Sequence, residues 1–203
     1  MLQTVSLNKP TALKNRLRQF LHSGVTRFVI SDIDQTLFDS TKRFQYTSLP
    51  AEREALILEP DFEDVLKNTI YQELCSLQHD GAKLIFVSGR QRSLATKKQL
   101  SKLFDEYEFV RNSKLLNPTL SSCKLKVDIL STFLDEVLEQ SAIYAQLFSD
   151  SKTFDLPDFR YGELQIFEDR ADIIEQLCSV CIQRRWPFQL SCQDNVYILK
   201  LEY

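Results

Sequence analysis

Apolar positions along the chain fall into short runs set apart by longer stretches of helical period. Four runs read as strands, at 27–31, 83–87, 108–111 and 163–167, each rich in Val, Ile, Leu and Phe. Between and after them, apolar residues recur every three or four positions at 65–77, 93–104, 127–148 and 173–183, which predicts helices. An opening amphipathic helix starts at Pro10, carries Leu13, Leu17, Phe20 and Leu21 on one face, and stops near Gly24. Its Lys14, Arg16 and Arg18 read as a solvated outer face. The tail adds a run at 187–190 and an alternating, β-branched run at 196–201, expected to be the edge strand. Strands alternating with helices imply βαβ units and a mostly parallel sheet.

Residues 39–64 break the alternation. The segment is charged, holds Pro50 and Pro60, lacks a clear strand and is too long for an ordinary connection. It reads as a small cap near the carboxyl end of the first strand.

Composition narrows the class without naming a function. A chain of 203 residues with 43% hydrophobic and 26% charged residues builds one substantial core, so residues 1–203 are expected to form a single domain. A net charge of −3 supplies no global field for polyanions, and nucleic-acid contact would need a local basic patch. Five cysteines, an odd number, fit reduced thiols in a cytoplasmic protein. Cys178 and Cys181 have the spacing of a metal or redox pair, but no second Cys or His pair follows, and the segment reads as helix. No stretch approaches the roughly 20 apolar residues of a membrane span, so no membrane partner is expected.

Ligands on open α/β sheets bind where loops leave the carboxyl ends of strands. Those ends carry Asp32, Asp34 and Thr36 after the first strand, Ser88-Gly89-Arg90 after the second, and Glu168-Asp169 after the fourth. Two carboxylates one residue apart point the same way in an extended chain and repel each other unless a cation lies between them. A hard divalent ion suits that set, and Mg²⁺ is expected, held by Asp32, a backbone oxygen near it and acids from Glu168-Asp169. With a phosphate neutralised there, one Asp can attack phosphorus while the other protonates the leaving oxygen.

Asp32-Ile33-Asp34-Gln35-Thr36 resembles the Asp-x-Asp-x-Thr motif of the haloacid dehalogenase-like (HAD) hydrolase superfamily. The resemblance implies a Rossmann-like three-layer sandwich. It implies that Asp32 is the phosphorylated nucleophile, and that Asp34 is the acid/base whose main-chain carbonyl also binds magnesium. Ser88, in Phe86-Val87-Ser88-Gly89-Arg90, matches the hydroxyl that holds the transferring phosphoryl oxygens. The family's lysine falls on Lys126 or Lys124; Lys126 is preferred because Leu125-Lys126 followed by Leu130 resembles the Swiss-army-knife RNA-repair-like branch. Ile166-Phe167-Glu168-Asp169-Arg170 resembles the Tyr-Glu-Asp-Arg motif of the same branch, which implies Asp169 as a metal ligand and Glu168 as a second ligand or the holder of a metal-bound water. Gln35 departs from the glycine usual in the family.

These residues predict a magnesium-dependent phosphatase acting through an aspartyl-phosphate on a phosphorylated substrate, in first place a small molecule. A nucleic-acid end is the alternative, suggested by the branch and by the basic stretches Arg90-Gln91-Arg92 and Arg184-Arg185. A non-catalytic binding module of the same fold is the third reading, hinted at by Gln35 and by the insert.

Overall fold

The computed structural model describes residues 10–91, 93–112, 122–149 and 162–202. The protein is an α/β structure around a six-stranded, mostly parallel sheet. Strands β1 (Arg27–Ser31), β4 (Lys83–Ser88), β5 (Glu108–Arg111) and β6 (Glu163–Glu168) run parallel in the order β5-β4-β1-β6. A hairpin of β7 (Phe188–Gln193) and β8 (Val196–Glu202) extends the sheet, with β8 antiparallel to β6.

The hairpin corrects one expectation: the run at 196–201 is not the edge, because β8 lies between β6 and β7 and the outermost strand is β7. Burial explains the placement. Val196, Ile198, Leu199 and Leu201 are buried, whereas β7 is exposed along nearly all its length. Asp194 and Asn195 form the two-residue turn, both with φ near +55° (51° and 60°). Short polar side chains tolerate that left-handed backbone, and such turns match the twist of paired strands.

Alternating strand residues divide the core into two layers. Phe28, Ile30, Ile85, Val87, Leu164 and Ile166 face one side. There they meet α1 (Pro10–His22), α6 (Ser122–Ser149) and α7 (Ala171–Arg184), through Leu17, Phe133 and Leu177 among others. Val29, Leu84, Phe86 and Phe167 face the other side, against Ile70 and Leu74 of α4 (Asn68–His79) and Leu100 of α5 (Leu94–Leu100). Each such fully buried Leu or Phe contributes about 2 kcal/mol of transfer free energy.

Residues 39–64 form an insert rooted on a short antiparallel ribbon of β2 (Phe38–Asp39) and β3 (Val65–Leu66). Within it lie α2 (Thr41–Tyr46) and α3 (Pro50–Ala55), followed by two 3₁₀ turns, the second opened by Pro60. Pro50 takes the first helical position of α3, where its missing N–H costs nothing. The helix expected at 65–77 therefore begins at Asn68, because Val65 and Leu66 pair with β2 instead.

The basic residues of α1 are not merely solvated. Arg16 pairs with Glu108 at 2.7 Å, and Lys14 and Arg18 both reach the buried Glu136 of α6 at 3.1 and 2.9 Å. No helix among the described residues is long and apolar enough to cross a membrane.

Candidate active site

The turn after β1 is built by its apolar residues. Ile33 and Leu37 are wholly buried, and the N–H groups of Leu37 and Phe38 both donate to the Ile33 carbonyl at 3.0 Å. This tight closure requires a left-handed residue, and Gln35 adopts it with φ 62°. The position where the resembled family carries glycine is thus the position whose backbone favours glycine. Lys67 Nζ donates to the Gln35 carbonyl at 2.5 Å, and the Gln35 amide reaches Thr41 Oγ1 at 3.3 Å.

With Ile33 turned into the core, Asp32 and Asp34 turn towards a cavity of about 1000 Å³ over the carboxyl ends of the parallel strands. Ser88, Lys126 and Asp169 line the same cavity. Glu168 sits just beneath, 1% exposed, with its carboxylate against Lys126. The site candidates Asp32, Asp34, Ser88, Lys126, Glu168 and Asp169 are therefore brought together.

Asp32, Glu168 and Asp169 form the acidic focus, each offering one oxygen within 4.8 Å of the others. Lys126 Nζ sits between two of them, 2.7 Å from Asp32 Oδ2 and 2.5 Å from Glu168 Oε2. Burial would lower the lysine's pKa, but the Asp32 and Glu168 carboxylates raise it above the ordinary value and keep it charged. Burial pushes Glu168 up to about 8, Lys126 opposes that rise, and the charges on Asp32 and Asp169 add to it. Asp169 is likewise raised by burial and by Asp32, although Lys126 and a hydrogen bond from Thr36 Oγ1 at 3.1 Å pull the other way.

Three acids crowded around one ammonium resist ionising together, as the raised Glu168 and Asp169 record, and a hard cation with oxygen ligands relieves that repulsion. The donor set, carboxylate oxygens gathered at one spot with one acid oriented by a threonine hydroxyl, could hold a hard divalent ion. Thr36 is fully buried, with its hydroxyl committed to Asp169.

Asp34 lies in a different environment from the one its motif suggests. Its Oδ1 accepts from Arg90 at 2.6 and 3.0 Å, from Arg43 at 2.7 Å and from Ser40 at 2.7 Å. Both arginines also bind Asp64, Arg43 at 2.7 Å and Arg90 at 2.9 Å, and Gln99 donates to the same carboxylate. Two aspartates and two guanidinium groups thus close a ring between the strand ends and the insert. Burial by itself would raise the pKa of Asp34; the charges and hydrogen bonds of Arg90 and Arg43 reverse that and lower it to about 2. In this state Asp34 holds no proton at neutral pH.

Sequence reading missed Arg43 and Asp64 as site residues. The only signal was their place in an overlong charged insert, since partners 21 residues apart cannot be paired without the fold. Arg90 was visible only as part of the Ser88-Gly89-Arg90 stretch.

Ser88 ends β4, is 1% exposed, and its Oγ accepts weakly from the Arg90 N–H at 3.3 Å. α6 begins at Ser122, five residues before the helix expected at 127–148, so Lys124 lies in its first turn. Lys124 is exposed, whereas Lys126 is 4% exposed and points to the strand ends. Cys178 and Cys181 lie on α7, where burial pushes the Cys181 thiol up to about 11, contrary to what a metal-binding thiolate needs. Glu54 of the insert accepts from the Ser93 and Thr96 hydroxyls and from the Gln91 N–H, docking the insert on the start of α5. Arg92, part of one basic stretch, lies outside the described residues, and Arg184 and Arg185 sit at the far end of α7.

No protein-family model, curated protein or solved structure matches the chain.

Proposed function

We propose that the protein is a magnesium-dependent phosphatase of the haloacid dehalogenase-like type, with a Rossmann-like three-layer fold and residues 39–64 as a small cap. The observation that carries this reading is Lys126 Nζ bridging Asp32 and Glu168 at the carboxyl ends of the parallel strands. A nucleophilic carboxylate and an anionic phosphate repel, and a buried cation fixed beside the nucleophile offsets that repulsion before any substrate arrives.

In the first step an Asp32 oxygen forms a bond to phosphorus while the bond to the leaving oxygen breaks, and the leaving group takes a proton from Asp34. Ser88 Oγ and the Gly89 N–H hold the phosphoryl oxygens. Asp32, the Asp34 carbonyl, Glu168 and Asp169 would hold Mg²⁺, which would supply neutralisation of charge on the transferring group. In the second step water attacks the phosphorus of phosphorylated Asp32 and gives a proton to Asp34 while the bond from phosphorus to the Asp32 oxygen breaks, which releases inorganic phosphate and regenerates the Asp32 carboxylate. The ionised Asp34 suits this base role directly. Its acid role requires that an entering phosphate draw the arginines away, so that the carboxyl can take up a proton.

The grip of Arg90 and Arg43 on Asp34 also favours a second reading, a module that binds phosphate esters without turning them over. A screen of sugar phosphates, nucleotides and end-phosphorylated oligonucleotides, each with Mg²⁺ and with chelator, separates the two. Mg²⁺-dependent phosphate release supports the enzyme. Binding with no release at any pH supports the module, and release confined to the oligonucleotides assigns the substrate to a nucleic-acid end.

A further inference from the structure

We propose that the cavity selects substrates that carry a second phosphate besides the one transferred at Asp32, and that Arg53 and Arg111 receive it. This deepens the phosphatase reading and rests on it.

Six cationic side chains line the cavity, and four of them are paired with carboxylates. Of its cationic residues, Arg43 and Arg90 are neutralised by Asp34 and Asp64, Lys126 by Asp32 and Glu168, and Arg170 by Asp172 at 2.6 Å. Arg53 and Arg111 remain. Among the described residues neither has a carboxylate partner, and the Nε of each is buried without any hydrogen-bond acceptor. Among the described residues Arg53 donates only to the Ser48 carbonyl, and it stacks over the Phe44 ring at 4.5 Å, which fixes its plane without satisfying its charge.

A buried N–H left without an acceptor is costly, and it is tolerated where a ligand completes it. The two arginines come from different parts of the fold. Arg111 ends β5, beside Ser88 in the sheet register, and Arg53 belongs to α3 of the insert. A ligand that pairs with both spans the sheet and the insert, and a cavity of about 1000 Å³ is far larger than one phosphate needs. Guanidinium groups match phosphate oxygens in a two-pronged fashion, so phosphate is the anion that suits them best.

The test uses matched pairs: adenosine 5′-monophosphate with adenosine 3′,5′-bisphosphate, and fructose 6-phosphate with fructose 1,6-bisphosphate. For each, binding to the full chain is measured by calorimetry with Ca²⁺ in place of Mg²⁺, and phosphate release is measured separately with Mg²⁺. The bisphosphate of at least one pair is expected to bind about ten- to a hundredfold more tightly, the scale of one charged hydrogen-bonded contact. In R111Q and R53Q that ratio falls towards one, and folding is checked by circular dichroism. Equal binding within both pairs, or a preference that survives both substitutions, overturns the inference. Preference without release in Mg²⁺ overturns the phosphatase reading while leaving the second-phosphate site standing. Release without preference does the reverse.

Discussion

Lys126 Nζ lies 2.7 Å from Asp32 Oδ2, in a pocket where the lysine is only 4% exposed. Lys124, two residues earlier on the same helix, is exposed. Losing electrostatic help at a reacting phosphate costs about two to three orders of magnitude in rate. Lys126→Ala is therefore expected to lower kcat by about that amount, and Lys124→Ala by less than about tenfold, since exposed charges are screened. Steady-state kinetics on folded protein decides; the opposite ranking moves the site lysine to Lys124.

The ring of Arg43, Arg90, Asp34 and Asp64 predicts a large stability effect. Arg43 and Asp64 have side chains 2% and 0% exposed and pair at 2.7 Å. Removing Arg43 leaves the Asp34 and Asp64 carboxylates sharing Arg90 alone, at the cost of a broken buried pair, about 3–5 kcal/mol. Arg43→Met is expected to lower the unfolding free energy by that amount in a denaturant titration. A loss under about 1 kcal/mol, the range of an exposed pair, would show that the ring is not closed in solution.

Gln35 holds a left-handed backbone with φ 62°, which costs a non-glycine residue about 1–2 kcal/mol. Gln35→Gly recovers that strain but gives back roughly 0.5–1 kcal/mol through the freer unfolded chain, so its stability equals or exceeds that of the wild type. Gln35→Val, β-branched, is expected to lose more than about 1 kcal/mol, as strained positions do. A glycine variant clearly less stable than wild type contradicts the strain account.

Glu136 sets a pH dependence of stability. Burial would raise its pKa, but Arg18 and Lys14 lower it below the ordinary 4.5. A carboxylate with a depressed folded-state pKa contributes stability that is present above the unfolded value and is lost as pH falls through the folded one. Wild type should therefore exceed Glu136→Gln in stability at pH 7, with the difference shrinking below about pH 4.5 and vanishing in stronger acid. A gap that stays constant from pH 7 to pH 3 would falsify the ion-pair assignment.

Much of the fold was legible because its elements carry their own patterns. The runs Phe28-Val29-Ile30 and Phe109-Val110 are buried on both faces, so they read as continuous apolar strands whatever surrounds them. The period through Leu130, Phe133, Leu134 and Val137 is a helical stripe. The elements misplaced were those decided by distant partners. Val65 and Leu66 form strand only because β2 comes alongside, and β8 is interior only because β7 covers it. The site divides the same way: the acids and hydroxyl at strand ends follow from topology, but the arginine ring around Asp34 depends on the insert folding back. Side-chain charge alone did not reveal that Asp34 would be ionised and held.

The most direct test of the central claim is the mass of the intact protein after acid quenching, following mixing with a turned-over phosphate ester and Mg²⁺. Asp34→Asn should accumulate one added phosphoryl group, because loss of the base slows hydrolysis of the intermediate. Peptide mapping should place that group on Asp32. Asp32→Asn and chelated samples should show none. Release of phosphate by folded Asp32→Asn at the wild-type rate, or a phosphoryl group mapped to another residue, contradicts the account.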